Sequence, residues 1–370
     1  MLVSWYSPKN ADVVRAGVFH LEQSVALQKY CNVAIYYPFD TDLHEGFSDA
    51  EEWGVRTFRR KVDSSRLKKY LHYIRDFREI KKRFSPDLIH AHVAMQGGRV
   101  AVWLGRLFHV PVIVTEHTPV EWSGIERKKD YRITGNVYGS SRMNVCVSED
   151  SKERLSAAFP GKKFTVIYNG IVDPDETPDS GVPYREDGKV NFCIIAAFYD
   201  KDVKGYQHLL PAVKILSEQR QDILLHIVGG GEYLDYYKKM AEDLHILPYV
   251  RFYGQRNREE VYGILKQMDF SISASLFECS GVSVQEAMLL GKPLVVTTSG
   301  GADSLVTEDT AIVVKNGSTE ALAAGLMEML RRFPDFSEEK IRNYAYESFE
   351  IDKTSRKYME LYEKIVLKKE

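Results

Sequence analysis

Short apolar runs alternate along this chain with longer stretches whose apolar positions recur every three or four residues. The short runs are Leu2–Tyr6, Val33–Tyr37, Leu88–His92, Val112–Thr115, Asn144–Val147 and Thr165–Tyr168. A second series is Val190–Ala196, Ile223–Val228, Val250–Phe252, Phe270–Ala274, Leu294–Thr297 and Ala311–Val314. They are rich in Val, Ile and Tyr, and several are bounded by Gly, Pro, Asn or Asp, which predicts strands. Helices are predicted over Val18–Tyr30, Arg66–Phe84, Arg99–Phe108, Tyr206–Glu218, Tyr233–Leu244, Arg258–Gln267, Val282–Leu290, Thr319–Phe333 and Phe349–Leu367. Strand–helix–strand alternation means parallel sheets covered by helices on both faces. The segment Ile171–Lys189 has no period and carries Pro174, Pro178, Gly181 and Pro183 among acidic residues. Read as a linker, it splits the strands six and six, into two doubly wound α/β domains. Ligands of such sheets bind outside the carboxyl ends of the strands, so a cleft between the domains is the expected site.

Composition sharpens this picture. The 370 residues are 44% hydrophobic and 28% charged, which suits folded domains and excludes disordered and low-complexity classes. The net charge of −2 speaks against a nucleic-acid coat, but it hides an asymmetry: residues 1–170 carry net +7 and residues 171–370 net −9. Four scattered cysteines without CxxC spacing fit a reducing compartment. The chain shows no apolar run of membrane-spanning length and no signal-peptide pattern near Met1, so a cytoplasmic location is expected.

Several segments could carry chemistry. Phe277–Pro293 follows a predicted strand and holds Glu278 and Glu286, eight positions apart, around a Ser280-Gly281 turn at a helix start. Free N–H groups near Gly281, Val282 and Ser283 would suit an anion such as a diphosphate, with Glu286 within reach of ribose hydroxyls and Glu278 facing the cleft. A solvated glutamate pair around an ordinary turn is the alternative. Asp200–Tyr206 places Lys201 and Lys204 between a strand and a helix, where a lysine neutralises an anionic ligand or simply faces water. Gly229-Gly230-Gly231 lets backbone approach a ligand, or makes a tight turn; it is neither a dinucleotide fingerprint nor a P-loop. His117 ends a predicted strand before Pro119, and His90 and His92 sit similarly. No metal-binding spacing unites them, and no metal is assigned. Gly17, in Arg15-Ala16-Gly17, could let a helix start approach a phosphate. Asp40-Thr41-Asp42 reads as a polar loop rather than a metal site. Residues 56–83 carry net +9 and fit either an anionic surface, such as a membrane or lipid phosphate, or a charged outer helix face. Nucleic acid is not read from them.

Taken together these motifs resemble glycosyltransferase family 4, the group 1 retaining transferases of GT-B fold. The E-x7-E pair Glu278…Glu286, Val166–Gly170, Asp202–Gly205, Val228–Gly231 and Ser299–Gly301 occur in the family's order. The resemblance implies two Rossmann-like domains facing across a cleft. Residues 1–170 would be the acceptor side, joined by a returning C-terminal helix at 349–370, and residues 171–348 would bind the donor. It implies a hexosyltransferase-type enzyme, retaining and metal-independent, that moves sugar from a nucleotide diphosphate sugar (a UDP- or GDP-sugar) to a hydroxyl acceptor. The acceptor would be a saccharide or lipid-linked molecule in cell-surface polysaccharide or glycolipid synthesis, handled in the cytoplasm or at the membrane face through 56–83.

The resemblance also implies roles. Lys204 would hold the diphosphate, Glu286 the ribose, and Glu278 the donor sugar. The backbone of Gly281, Val282 and Ser283 would contact phosphate and sugar, with Gly230 and Gly17 at the donor. His117 would lie near a hydroxyl of the transferred sugar. The family's arginine shortly before the lysine is missing, since Ala197-Phe198-Tyr199 stands there. An epimerase or phosphorylase of the same fold, or a non-catalytic nucleotide-sugar binding module, are the competing functions.

Overall fold

A computed structural model describes residues 2–3, 18–41, 43–44, 46–62, 65–120, 127–178, 181–199 and 201–367. Contacts divide the chain into two compact units, Met1–Gly170 with Ile351–Glu370, and Ile171–Glu350.

In the first unit the order is β1 (Leu2–Val3), α1 (Val18–Leu27), β2 (Ala34–Asp40), β3 (Phe47–Glu52), β4 (Val55–Lys61), α2 (Arg66–Arg83), β5 (Ile89–His92), α3 (Arg99–Phe108), β6 (Val112–Glu116), α4 (Lys128–Ser140), β7 (Met143–Cys146), α5 (Glu149–Ala158) and β8 (Phe164–Val166). Among the described residues these strands form one sheet in the order β3-β4-β2-β1-β5-β6-β7-β8. Every pairing is parallel except β3 with β4. β5 and β6 are buried along their whole length, which is why they read as apolar runs without alternation.

The β3–β4 hairpin corrects the expected six strands to eight in this unit. Its sequence is dominated by charge, so neither a period of two nor an apolar run marks it. The charges are matched inside the fold instead. Arg59 is buried and pairs with Asp40 at 3.0 Å and with Glu52. Arg60 pairs with buried Asp76 of α2. Asp40 is therefore a buried strand residue rather than part of a polar loop; Asp42 lies outside the described residues. Residues 56–83 are likewise not one basic face. Their strand half is turned inward, while Lys68, Leu71, Arg75, Arg78 and Lys82 are exposed on α2 at helical spacing.

The second unit runs β9 (Val190–Ile195), α6 (Tyr206–Gln219), β10 (Ile223–Val228), α7 (Leu234–Asp243), β11 (Val250–Gly254), α8 (Arg258–Lys266), β12 (Phe270–Ser273), α9 (Val282–Leu289), β13 (Leu294–Thr297), β14 (Ala311–Val314), α10 (Thr319–Arg332) and α11 (Glu338–Phe349). Its described strands make a parallel sheet ordered β11-β10-β9-β12-β13-β14. Phe192, Ile194, Leu225, Ile227, Phe270 and Ile272 supply the centre of its core. The last helix, α12 (Ile351–Val366), belongs to the first unit, where Tyr358, Leu361 and Tyr362 pack with Leu27, Ile35, Ile113 and Val145.

A buried histidine on β10 gives this sheet an acid sensitivity. His226 bonds Tyr253 Oη at 2.9 Å and Asn191 Oδ1 at 3.0 Å, and burial pushes its pKa down to about 4. In the unfolded chain a histidine takes up its proton near pH 6.5, so between those values the unfolded state binds more protons and stability is lost as the pH falls. Acidification from pH 7 to 5 should cost about 2 kcal/mol at this residue, at ~1.4 kcal/mol per pH unit below 6.5. Urea unfolding of His226→Gln at both pH values should show that share of the loss removed; an unchanged pH dependence would contradict it.

Candidate active site

Both sheets reverse their strand order at one point, and that is where ligands of open α/β sheets bind. In the second unit the reversal lies between β9 and β12, since β10 and β11 extend one way and β13 and β14 the other. The loops after β9 and β12 are pressed together there. Leu276 N donates to Val203 O at 2.8 Å. Gly205 N-caps α6 with φ +72°, and a Cβ on it would lie 1.8 Å from the carbonyl oxygen of Ala274, so no other residue fits. The approach sets Lys204 Nζ on the Glu278 carboxylate, which also accepts from Ser275 Oγ at 2.9 Å. Glu278 is held from its other side by the loop after β13, through Glu278 N to Ser299 O at 3.0 Å and Gly301 N to Glu278 O at 2.9 Å.

Beside this pair α9 begins. Gly281 is its N-cap and has no side chain to cap the first amides, so the positive end of the helix remains open to an acceptor. Ser280 Oγ and Ser299 Oγ are buried and have no hydrogen-bond partner among the described residues, which marks a place for a polar ligand. Gly281 is buried, Ser283 half-buried and Val282 exposed. One turn into α9, Glu286 accepts from Tyr262 Oη at 2.9 Å, and Tyr262 accepts from Arg258 Nε at 2.7 Å. Burial raises the Glu286 carboxyl above the usual range, against the pull of Arg258 and the tyrosine hydroxyl. Tyr262 and Arg258 were not legible as site residues, because an ordinary amphipathic pattern accounts for both.

The Gly229-Gly230-Gly231 run has a cause inside the protein. A Cβ on Gly229 would lie 2.0 Å from Ala196 O, and one on Gly231 2.4 Å from the Phe198 carbonyl carbon. The loops after β9 and β10 touch backbone to backbone, with Phe198 N donating to Gly230 O at 2.9 Å. Lys201 lies over the Tyr236 ring at 4.6 Å, a separate cation–π contact. Asp200 is outside the described residues.

In the first unit the reversal lies between β1 and β5. Gly17 and Arg15 are in the segment after β1 that lies outside the described residues. After β5 the chain makes a wide π-helical turn, Val93–Gly98, and its first residue, Val93, has φ +62°. A β-branched residue in the left-handed region is strained, and such strain clusters at functional sites. Glu116, at the end of β6, holds the region together. Its Oε2 accepts from Ala94 N at 3.0 Å and Tyr138 Oη at 2.8 Å, and its Oε1 from His117 N at 3.1 Å and Thr118 N at 2.9 Å. His117 follows, half-buried, with Nε2 2.9 Å from Nδ1 of His92. His90 is spent on Tyr362 Oη at 2.6 Å and Thr115 Oγ1 at 2.7 Å, which ties it to α12. Fold thus brings His117 and His92 together, and it pairs Lys204 with Glu278.

Residues 183–348 match the family described as glycosyl transferases group 1, and residues 18–175 match Glycosyltransferase Family 4. The chain is 25% identical over 289 residues to alpha-monoglucosyldiacylglycerol synthase of Streptococcus pneumoniae, a match covering 73% of this chain and 64% of the synthase. It is 24% identical over 390 residues to the uncharacterized glycosyltransferase YqgM of Bacillus subtilis, covering 99% of this chain and 98% of YqgM. Among solved structures, HepE of Anabaena in complex with UDP superimposes with a TM-score of 0.77 at 16% identity, covering 98% of this chain and 99% of HepE. With two α/β sheets, parallel but for the β3–β4 hairpin, and matches to these two family models over residues 18–175 and 183–348, the chain belongs to glycosyltransferase family 4, group 1, and has the GT-B fold.

Proposed function

We propose that this enzyme transfers a hexose from a nucleotide diphosphate sugar to a hydroxyl acceptor, with retention at the anomeric carbon and without a metal. The observation that carries the reading is the Lys204–Glu278 pair at the strand-order reversal, beside the open amide end of α9. A diphosphate arriving there exchanges the lysine's carboxylate partner for phosphate oxygens, and the helix amides take further oxygens. Both stabilise the charge that grows on the departing diphosphate, which is the role a metal plays elsewhere. Released Glu278 accepts from hydroxyls of the donor sugar. Glu286, set by Tyr262, accepts from the ribose, and the backbone at Gly230, Gly281, Val282 and Ser283 lines the donor. The family resemblance favours a front-face course, in which the acceptor attacks from the face the diphosphate leaves and its proton passes to the leaving phosphate. His117, and Gly17 in the segment outside the described residues, serve the transferred sugar and the diphosphate.

The UDP bound in HepE favours a uridine or related nucleotide for the donor. The name of the pneumococcal synthase favours a lipid or lipid-linked acceptor in glycolipid or surface-polysaccharide synthesis. The exposed cationic stripe of α2, which includes Leu71 at 63% exposure, suits peripheral attachment to an anionic membrane face.

The test is a panel of UDP-, GDP-, ADP- and dTDP-sugars, read by thermal shift and by transfer to lipid acceptors in anionic or zwitterionic vesicles. One donor class should raise the melting temperature, and transfer should be faster on anionic vesicles. Glu286→Ala should weaken that donor at least ~10-fold, the scale of ~1.4 kcal/mol for a charged hydrogen bond. Conversion of the donor without acceptor, or binding without turnover, would replace transfer with epimerisation or simple binding.

A further inference from the structure

We propose that His20, His92 and His117 form a binding site for a divalent transition-metal cation of the zinc class. They come from three elements that meet where the first sheet reverses: α1, the end of β5 and the residue after β6. One potential ligand atom from each lies within 4.8 Å of the other two. The ring centroids are 4.0 Å apart for His20 and His92, 5.0 Å for His20 and His117, and 5.1 Å for His92 and His117.

A second observation points to a ligand. His92 is fully buried, and its Nε2 has no hydrogen-bond partner among the described residues. A buried polar nitrogen left in this way calls for an explanation, and a cation or a water supplies one. The 2.9 Å contact between His92 Nδ1 and His117 Nε2 suits two nitrogens that share a proton. Zinc–nitrogen bonds of about 2.0–2.1 Å place tetrahedral ligand nitrogens about 3.3 Å apart, so the three rings, whose ligand atoms lie within 4.8 Å of one another, must rotate inward to close on a cation.

The neighbours fit a supporting role. Both ring nitrogens of His90 are engaged by Tyr362 and Thr115, so it packs on His92 without being a ligand. The Glu116 carboxylate is filled by four donors. The donor set is therefore three imidazoles, which favours zinc, copper, nickel or cobalt over magnesium, calcium or manganese. Three protein ligands leave a fourth position for water or an anion. A metal held here withdraws His117 from the donor sugar and inhibits transfer, a consequence that rests on the role given to His117 above.

The experiment is titration of the metal-stripped full chain with Co2+ and then Zn2+, without any sugar donor. One equivalent of Co2+ should bind with visible d–d absorption and no thiolate charge-transfer band, and Zn2+ should displace it. His20→Ala and His92→Ala should each weaken binding at least ~10-fold, while Cys279→Ser should not. Should those variants fail to fold, 15N-histidine spectra of the wild type decide: three ring systems should shift on adding Zn2+. No saturable equivalent, shifts at other histidines, or unaltered binding in the folded variants would overturn the site. Binding at the three histidines with transfer left unaffected would uphold the site and overturn the role of His117.

Discussion

Lys204→Ala should lower the rate of sugar transfer roughly 100- to 1,000-fold at saturating donor, the ~2.7–4 kcal/mol that removal of one preorganised donor to a developing anion costs. The argument rests on position. Lys204 is fixed by Gly205 behind it and by the contact between the loops after β9 and β12, so its charge is set before the donor arrives. The arginine expected a few residues earlier is absent and Lys201 is occupied on Tyr236, so among the described residues Lys204 and the α9 amides are what would meet the departing diphosphate; Arg15 lies outside them. Stability should change little. The pair is partly exposed, with 28% and 21% side-chain accessibility, and such ion pairs contribute ~0–1 kcal/mol. Initial rates together with melting temperatures check this. Turnover within threefold of wild type would remove Lys204 from the diphosphate, and a collapsed melting temperature would make it a folding residue instead.

Glu116→Ala should destabilise the protein by at least about 3 kcal/mol, because it strips a shared acceptor from four donors, each worth ~1–3 kcal/mol when left buried and unpaired. The costs do not add fully, since the loop can relax toward water. Glu116→Gln should recover little. Both carboxylate oxygens accept two donors, so either orientation of the amide sets its NH2 group against one of these pairs. The same contacts place the backbone of His117 and the start of the π-helical turn, so transfer should fall along with stability. Urea unfolding of both variants measures the first effect. A loss below 1 kcal/mol in Glu116→Ala would show that these bonds are readily replaced.

The second unit was far more legible than the first. Its strands are short runs dominated by Val, Ile, Leu and Phe, interrupted only by single polar residues such as Asn191, His226, Arg251 and Ser271, because a parallel strand covered by helices on both faces leaves little room for polar side chains. Glu278 and Lys204 could be singled out because they stand in the loops after such runs, and Glu286 by its spacing from Glu278. In the first unit the β3–β4 hairpin escaped detection, since Arg59 and Arg60 are neutral to the core only through Asp40, Glu52 and Asp76. Helices α4, α5 and α11 also escaped. Their apolar stripes are thin, and α5 and α11 depend on Ser148 and Ser337 as N-caps.

Pattern and composition alone therefore determined the class of fold, the repeated strand–helix unit and the charged residues at strand ends, because hydrophobic period reports which side of each element is buried. They could not report partners. That Lys204 faces Glu278, that Tyr262 sets Glu286, and that His20, His92 and His117 converge from positions 72 and 25 residues apart was decided only by the order of strands in the two sheets. Strand order is chosen by packing between distant elements, and no local period encodes it.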